Sequence, residues 1–187
     1  MNRTQRQQYT QAEQQWLEGL AEHCDYAITL QTNLRTYAVS ESTREARLQA
    51  TREALRRFRL RLNRLLTGNG WTRNADYVPI FIASIEGVGS KDKTVHIHAA
   101  VGNVGHVATE ETRQLVEEGC RQIWLKTDVC VPINPNPLTS PLLQVAKDDV
   151  VVELMRNDAE TGHTKQRWMG YTGKEAAGGN WSVMDWS

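Results

Sequence analysis

The chain reads as an α+β domain in which a central, mostly antiparallel sheet is flanked by helices. Short runs rich in β-branched and aromatic residues, at 26–32, 78–86, 95–102 and 150–156, have the length and composition of strands. Longer segments at 10–23, 40–68, 109–125 and 164–177 read as helices. Two of the strand-like runs, 78–86 and 95–102, are joined by a Gly/Lys/Asp-rich turn, which predicts a hairpin and therefore antiparallel pairing.

The opening helix, 10–23, offers Trp16, Leu17 and Leu20 as its apolar side. Residues 26–32 read as the first strand. The next helix has Leu48, Leu55, Phe58, Leu62 and Leu65 as an apolar stripe, with Ser40 or Ser42 to cap its start and Gly68 its end. Arginines surround that stripe, and Arg52, Arg56 and Arg59 are candidates for binding phosphates, balanced in part by Glu45 and Glu53. After the hairpin, Thr109 opens a helix whose front is rich in Glu, as the helix dipole favours. The proline-rich segment at 132–137 suits an inserted loop, Val150–Arg156 a strand, and 164–177 a final helix. No internal repeat or low-complexity tract interrupts the chain. This organisation predicts an N-terminal helical extension at 1–24, one domain at 25–177 and a flexible tail at 178–187.

At 187 residues and 40% hydrophobic content, the chain can bury one core. No apolar run approaches the roughly 18 residues of a membrane span, and the polar first residues lack a secretory signal, so no membrane association and a cytoplasmic location are expected. Three cysteines, Cys24, Cys120 and Cys130, without CxxC spacing, read as reduced thiols. The formal net charge is zero, so any nucleic-acid affinity depends on how charge is distributed.

The chemistry-bearing residues fall in three places. Alternation along a strand puts His96 and His98 on one face, with Val95, Ile97 and Ala99 on the other. The predicted hairpin lays Glu86 beside them. Two imidazoles and a carboxylate leave coordination positions open, which suits Mg²⁺ or Mn²⁺ holding a phosphate better than a closed structural zinc. Downstream, Tyr171 and Lys174 share a helical face, and a nearby ammonium favours the phenolate. Trp168, one turn earlier, can pack that helix onto the sheet or stack on a base. A Walker A loop is absent: neither Gly87-Val88-Gly89-Ser90-Lys91 nor Gly173-Lys174-Glu175 meets its pattern.

Tyr26 to Asn33, then His96-Ile97-His98, then Tyr171-Thr172-Gly173-Lys174 resemble the three ordered motifs of the HUH endonucleases, in the order used by the Rep class of rolling-circle replication initiators. The resemblance spans about residues 25–176. Two departures are a long gap between the histidines and Tyr171, and small residues, Ala99-Ala100-Val101, after the second histidine. The resemblance implies a ferredoxin/RRM-like sheet and Mn²⁺ or Mg²⁺ held by Glu86, His96 and His98. It further implies metal-dependent, sequence-specific nicking and rejoining of single-stranded DNA through a 5′-phosphotyrosyl link to Tyr171, assisted by Lys174. The expected partners are single-stranded DNA at a replication origin, which can fold as a hairpin, and a helicase acting in trans or lying in further sequence. For a virus of eukaryotes the location would be the host nucleus. Alternatives are a single-tyrosine transposase of the same chemistry and a non-enzymatic module that stacks single strands on Tyr26 and Phe81. A histidine-triad nucleotide hydrolase is disfavoured because Ala100 stands where its third histidine is needed.

Overall fold

A computed structural model describes residues 3–69, 78–130, 150–158, 164–172 and 184–186. In chain order the elements are α1 (Arg3–Ala21), β1 (Cys24–Gln31), α2 (Glu41–Thr67), β2 (Ile80–Glu86), β3 (His96–Gly102), α3 (Glu110–Trp124), β4 (Val150–Leu154), α4 (Lys165–Thr172) and β5 (Met184–Trp186). The strands form one antiparallel sheet in the order β4-β1-β3-β2-β5. From β1 to β4 the connectivity is βαββαβ, the split-βαβ arrangement of ferredoxin- and RRM-like folds, so the expected α+β class is the one observed.

One sheet face carries the main core. Tyr26, Ile28 and Leu30 of β1, Phe81, Ala83 and Ile85 of β2, Ile97, Ala99 and Val101 of β3 and Val150 and Val152 of β4 pack under α2 and α3. Both helices are started by side-chain caps. Ser40 Oγ accepts from the Thr43 amide at 3.2 Å, and Thr109 and Thr112 form a reciprocal capping box. Phe58 of α2 meets Trp124 of α3 edge to face at 5.7 Å, and Trp124 Nε1 donates to the Gln31 carbonyl at 2.7 Å, tying α3 to the end of β1. Tyr26 Oη donates to the Val107 carbonyl at 2.7 Å.

The helix faces differ from expectation by one residue in two places. In α2 the buried stripe runs through Leu48, Thr51, Leu55, Phe58 and Leu62 to Leu66, whereas Leu65 is 44% exposed. Leu65 instead reaches Gly119 of α3, where a Cβ would come within 2.6 Å of its Cδ2. Among the α1 residues whose side chains are described, Leu17 and Ala21, one turn apart, are buried, and Trp16 is 47% exposed because it sits about 100° round the helix from Leu17. α1 begins seven residues before the expected position 10.

Among the described residues, the second sheet face is covered only in part. There Ala27, Ile82 and Ala100 pack under Leu17 and Ala21 of α1 and Met169 of α4, with Met155 beside them and Trp168 partly buried against the group. Met184–Trp186, expected as tail, pair with Ile82–Ser84 as the short strand β5. The proline-rich segment at 132–137 and most of the expected tail lie outside the described residues. Among the described residues, no helix is long and apolar enough to cross a membrane.

Candidate metal centre

Pairing register lays three rungs across the partly covered face. Ala27, Ala100 and Ile82 align in the first, Thr29, His98 and Ser84 in the second, Gln31, His96 and Glu86 in the third. Alternation puts all nine on the same side of the sheet. The first rung is apolar and lies under α1 and α4; the other two are polar. The expected placement of Glu86 beside the histidine pair is therefore observed, and its cause is the hairpin register Glu86↔His96 and Ser84↔His98.

Glu86 is only 1% exposed, and both imidazoles are nearly buried. Its Oε2 stands 3.7 Å from His96 Nε2 and 3.9 Å from His98 Nε2, both longer than an N–H···O hydrogen bond. One donor atom from each of the three residues can be chosen so that all lie within 4.8 Å of one another. Donors on a shared ion stand about 3.0–3.5 Å apart when each is ~2.1 Å from it, so small side-chain adjustments close the set. The ring centroids are 5.2 Å apart and nearly perpendicular, so the two Nε2 atoms approach Glu86 from different directions.

Surrounding groups fix the orientation of each donor. His96 Nδ1 lies 3.0 Å from the Thr94 carbonyl, which can only accept. Nδ1 therefore carries the hydrogen, and Nε2 presents its lone pair toward Glu86. His98 Nδ1 lies 3.1 Å from Thr29 Oγ1 on the neighbouring strand. Ser84 Oγ donates to Glu86 Oε1 at 3.5 Å, leaving Oε2 toward the imidazoles. The Glu86 carboxylate, helped by the Thr94 carbonyl, raises the His96 pKa above its usual value, against the opposing pull of burial and of the Lys93 ammonium. The centre accordingly favours a cation, and two imidazoles with one carboxylate can hold a divalent metal while leaving positions open.

Gly87 makes the His96 orientation possible. It has φ +78°, and a Cβ there would strike the Thr94 carbonyl oxygen and approach His96 Nδ1 to 3.1 Å. A cavity of about 420 Å³ opens on the two histidines, bounded by Gln31, Arg35, Asp92, Lys93 and Thr94. Sequence reasoning missed Thr29, Ser84, Gly87, Thr94, Arg35 and Lys93. Only Ser84 left a signal, since it shares a strand face with Glu86 two residues on.

The remaining candidates are distributed as follows. Tyr171 lies in α4, which packs on the triad's face of the sheet. Lys174 lies outside the described residues. Trp168 borders a smaller cleft, about 230 Å³, with Ala27, Met155, Arg156 and Lys165. Arg52, Arg56 and Arg59 belong to α2 on the opposite face and are not brought to the triad; Arg52 pairs with Glu45 at 3.0 Å. Tyr26 and Phe81 are fully buried beneath α2 and α3, which corrects their assignment as base-stacking platforms: their strand positions point into the main core.

Fold and site together define a split-βαβ sheet protein with a two-histidine, one-carboxylate centre at the hairpin end of strands β2 and β3. No family model, no curated protein and no solved structure matches the chain.

Proposed function

We propose that this chain is a metal-dependent nickase and ligase of single-stranded DNA of the HUH type, acting at a replication origin to start rolling-circle synthesis. The observation that carries this reading is the convergence of Glu86, His96 and His98 on the sheet face against which α4, the helix containing Tyr171, is packed. Those three side chains would hold Mn²⁺ or Mg²⁺, and their two imidazoles favour Mn²⁺, because nitrogen donors suit transition ions better than Mg²⁺. When bound, the ion withdraws charge from a phosphate oxygen and neutralises charge that builds up in the transition state.

Tyr171 supplies the nucleophile. A bond forms between its phenolic oxygen and phosphorus while the bond from phosphorus to the 3′-oxygen breaks. The phenolic proton passes to solvent, and the leaving oxygen takes one up to become a 3′-hydroxyl. Lys174 favours the phenolate or binds the neighbouring phosphate. The phosphotyrosyl link keeps the energy of the broken phosphodiester, so a 3′-hydroxyl can attack it, rejoin the strand and release Tyr171. Unwinding of duplex DNA falls to a helicase elsewhere.

The test is incubation with a random pool of single-stranded DNA and Mn²⁺, followed by denaturation and a search for DNA retained on the protein. Retention that is lost with EDTA and in Tyr171→Phe supports the reading. Pools containing folded hairpins belong in the same experiment, and no adduct from either pool rejects it.

A further inference from the structure

We propose that Arg35 and Lys93 form a phosphate subsite of the metal centre, holding the backbone of a single-stranded nucleic acid on the side of Glu86, His96 and His98 away from α4. The inference rests on the reading of the centre as a nucleic-acid site and adds to it a direction and two residues.

The rungs supply the direction. Along β3, Ala100 lies under α4, His98 and His96 follow, and Thr94 and Lys93 come next toward the hairpin turn. Along β1 the parallel row is Ala27, Thr29 and Gln31, with Arg35 four residues further on. The histidines thus stand between α4 at one end and the two cations at the other. In-line displacement at phosphorus places the attacking and leaving oxygens on opposite sides. If attack comes from α4, Arg35 and Lys93 lie on the leaving side, next to the strand that ends in the 3′-hydroxyl.

Arg35 and Lys93 are exposed, yet their backbones are held. On either side of Arg35, the Leu34 carbonyl accepts from the Val95 amide at 2.7 Å, and Thr36 Oγ1 accepts from the Gly89 amide at 2.7 Å. The Arg35 carbonyl itself accepts from the Arg47 guanidinium. Thr32 Oγ1 donates to the Val95 carbonyl at 2.6 Å, closing the segment after β1 onto the segment before β3. The Lys93 amide donates to Ser90 Oγ at 3.2 Å. Among the described residues no ion pair engages either cation, whereas Arg113 and Arg121 of α3 are paired with Glu110, Glu117 and Glu118. Among the described residues that bound the cavity's outer part, Asp92 is the one carboxylate, so the cations outnumber it. Two cations beside open metal positions fit a ligand that presents several anionic oxygens in sequence, as a phosphodiester chain does.

The test measures binding of a random single-stranded DNA pool in Mn²⁺ across a series of salt concentrations. It compares Tyr171→Phe protein with the same protein carrying Arg35→Ala and Lys93→Ala, so that no strand is cut. Each phosphate contact on a single strand contributes about 0.7 to the slope of log K against log salt, so loss of two contacts lowers the slope by ~1.4. Lys126→Ala, at the end of α3 beyond the opposite face, leaves the slope unchanged. Mn²⁺ affinity and the melting temperature of the double variant are recorded in parallel. A shallower slope at unchanged Mn²⁺ affinity supports the subsite. An unchanged slope, absence of binding by the parent protein, or a drop in Mn²⁺ affinity that accounts for the weaker binding overturns it. Adduct formation by the wild-type chain decides the nickase reading separately: an adduct with unchanged slope leaves the nickase without this subsite, and a reduced slope without an adduct leaves the subsite without nicking.

Discussion

Gly87→Ala separates the two things that glycine does beside the metal centre. Its φ of +78° lies in the left-handed region, where a Cβ costs ~1–2 kcal/mol. The new Cβ would also strike the Thr94 carbonyl, the group that orients His96 through Nδ1 at 3.0 Å. Disrupting a buried hydrogen bond adds about 1–3 kcal/mol, for a combined loss of roughly 2–5 kcal/mol. Gly89→Ala is the matched control: its φ is +74°, but nothing lies within 4 Å of the added carbon, so it carries the backbone cost alone. Urea unfolding of the metal-free proteins measures the stability difference, and Mn²⁺ titration measures the site. Because groups that orient a metal-ligating histidine are typically worth about 10–100-fold in affinity, Gly87→Ala should lose affinity in that range while Gly89→Ala stays near wild type. Equal losses of stability and of affinity in the two variants would refute the claim that the Gly87 contact holds His96 in place.

Glu86→Gln should fold but lose the stabilisation that Mn²⁺ gives the wild type, about 2.7 kcal/mol when the ion is at a hundred times its dissociation constant; calorimetry with and without Mn²⁺ tests this, and a variant still stabilised to that degree would show that the carboxylate is not a ligand. Cys24 and Cys120 are buried, and burial pushes both thiols up to about 12, so neither is thiolate at neutral pH. A thiol reagent at pH 8 should therefore modify the half-buried Cys130 first and reach the other two only on unfolding; equal rates in the native protein would contradict their burial.

The parts of the fold that were legible in the sequence are those set by short-range periodicity. Alternation put His96 and His98 on one face, and a single turn brought Glu86 to them, because a hairpin needs only its own residues to define a register. Which sheet face each helix would cover is a long-range matter. Nothing local indicated that α2 would lie over Tyr26, Phe81 and Ile97, opposite the triad, and so carry Arg52, Arg56 and Arg59 away from it. Thr29 could be placed beside His98 only once β1 was paired with β3, across 69 positions of chain. Arg35 and Lys93 resemble any solvated loop cations until the Leu34–Val95 and Thr36–Gly89 bonds bring their segments together. β5 has three residues, too few for a strand period to register, and owes its pairing to the waiting edge of β2.

The rungs also explain why this face could hold a metal ion. Burying a carboxylate costs several kcal/mol unless a cation or a full set of donors compensates, and Glu86 is almost wholly enclosed. Ser84 addresses one of its oxygens; the other faces two Nε2 atoms, one of which, on His96, is left as a lone pair in the neutral ring by the bond at Nδ1. A carboxylate oxygen directed at such a lone pair is unfavourable unless positive charge lies between them. In the metal-free protein the Glu86 carboxylate favours a proton on His96, and so raises its pKa. A divalent ion held by the three side chains would supply more charge at the same place, so its binding would compete with protons for the imidazoles and add to the stability of the β2–β3 hairpin. Covering the two polar rungs as the first rung is covered would enclose the same groups without access for a ligand. Among the described residues, a cavity instead reaches His96 from the side of Arg35 and Lys93.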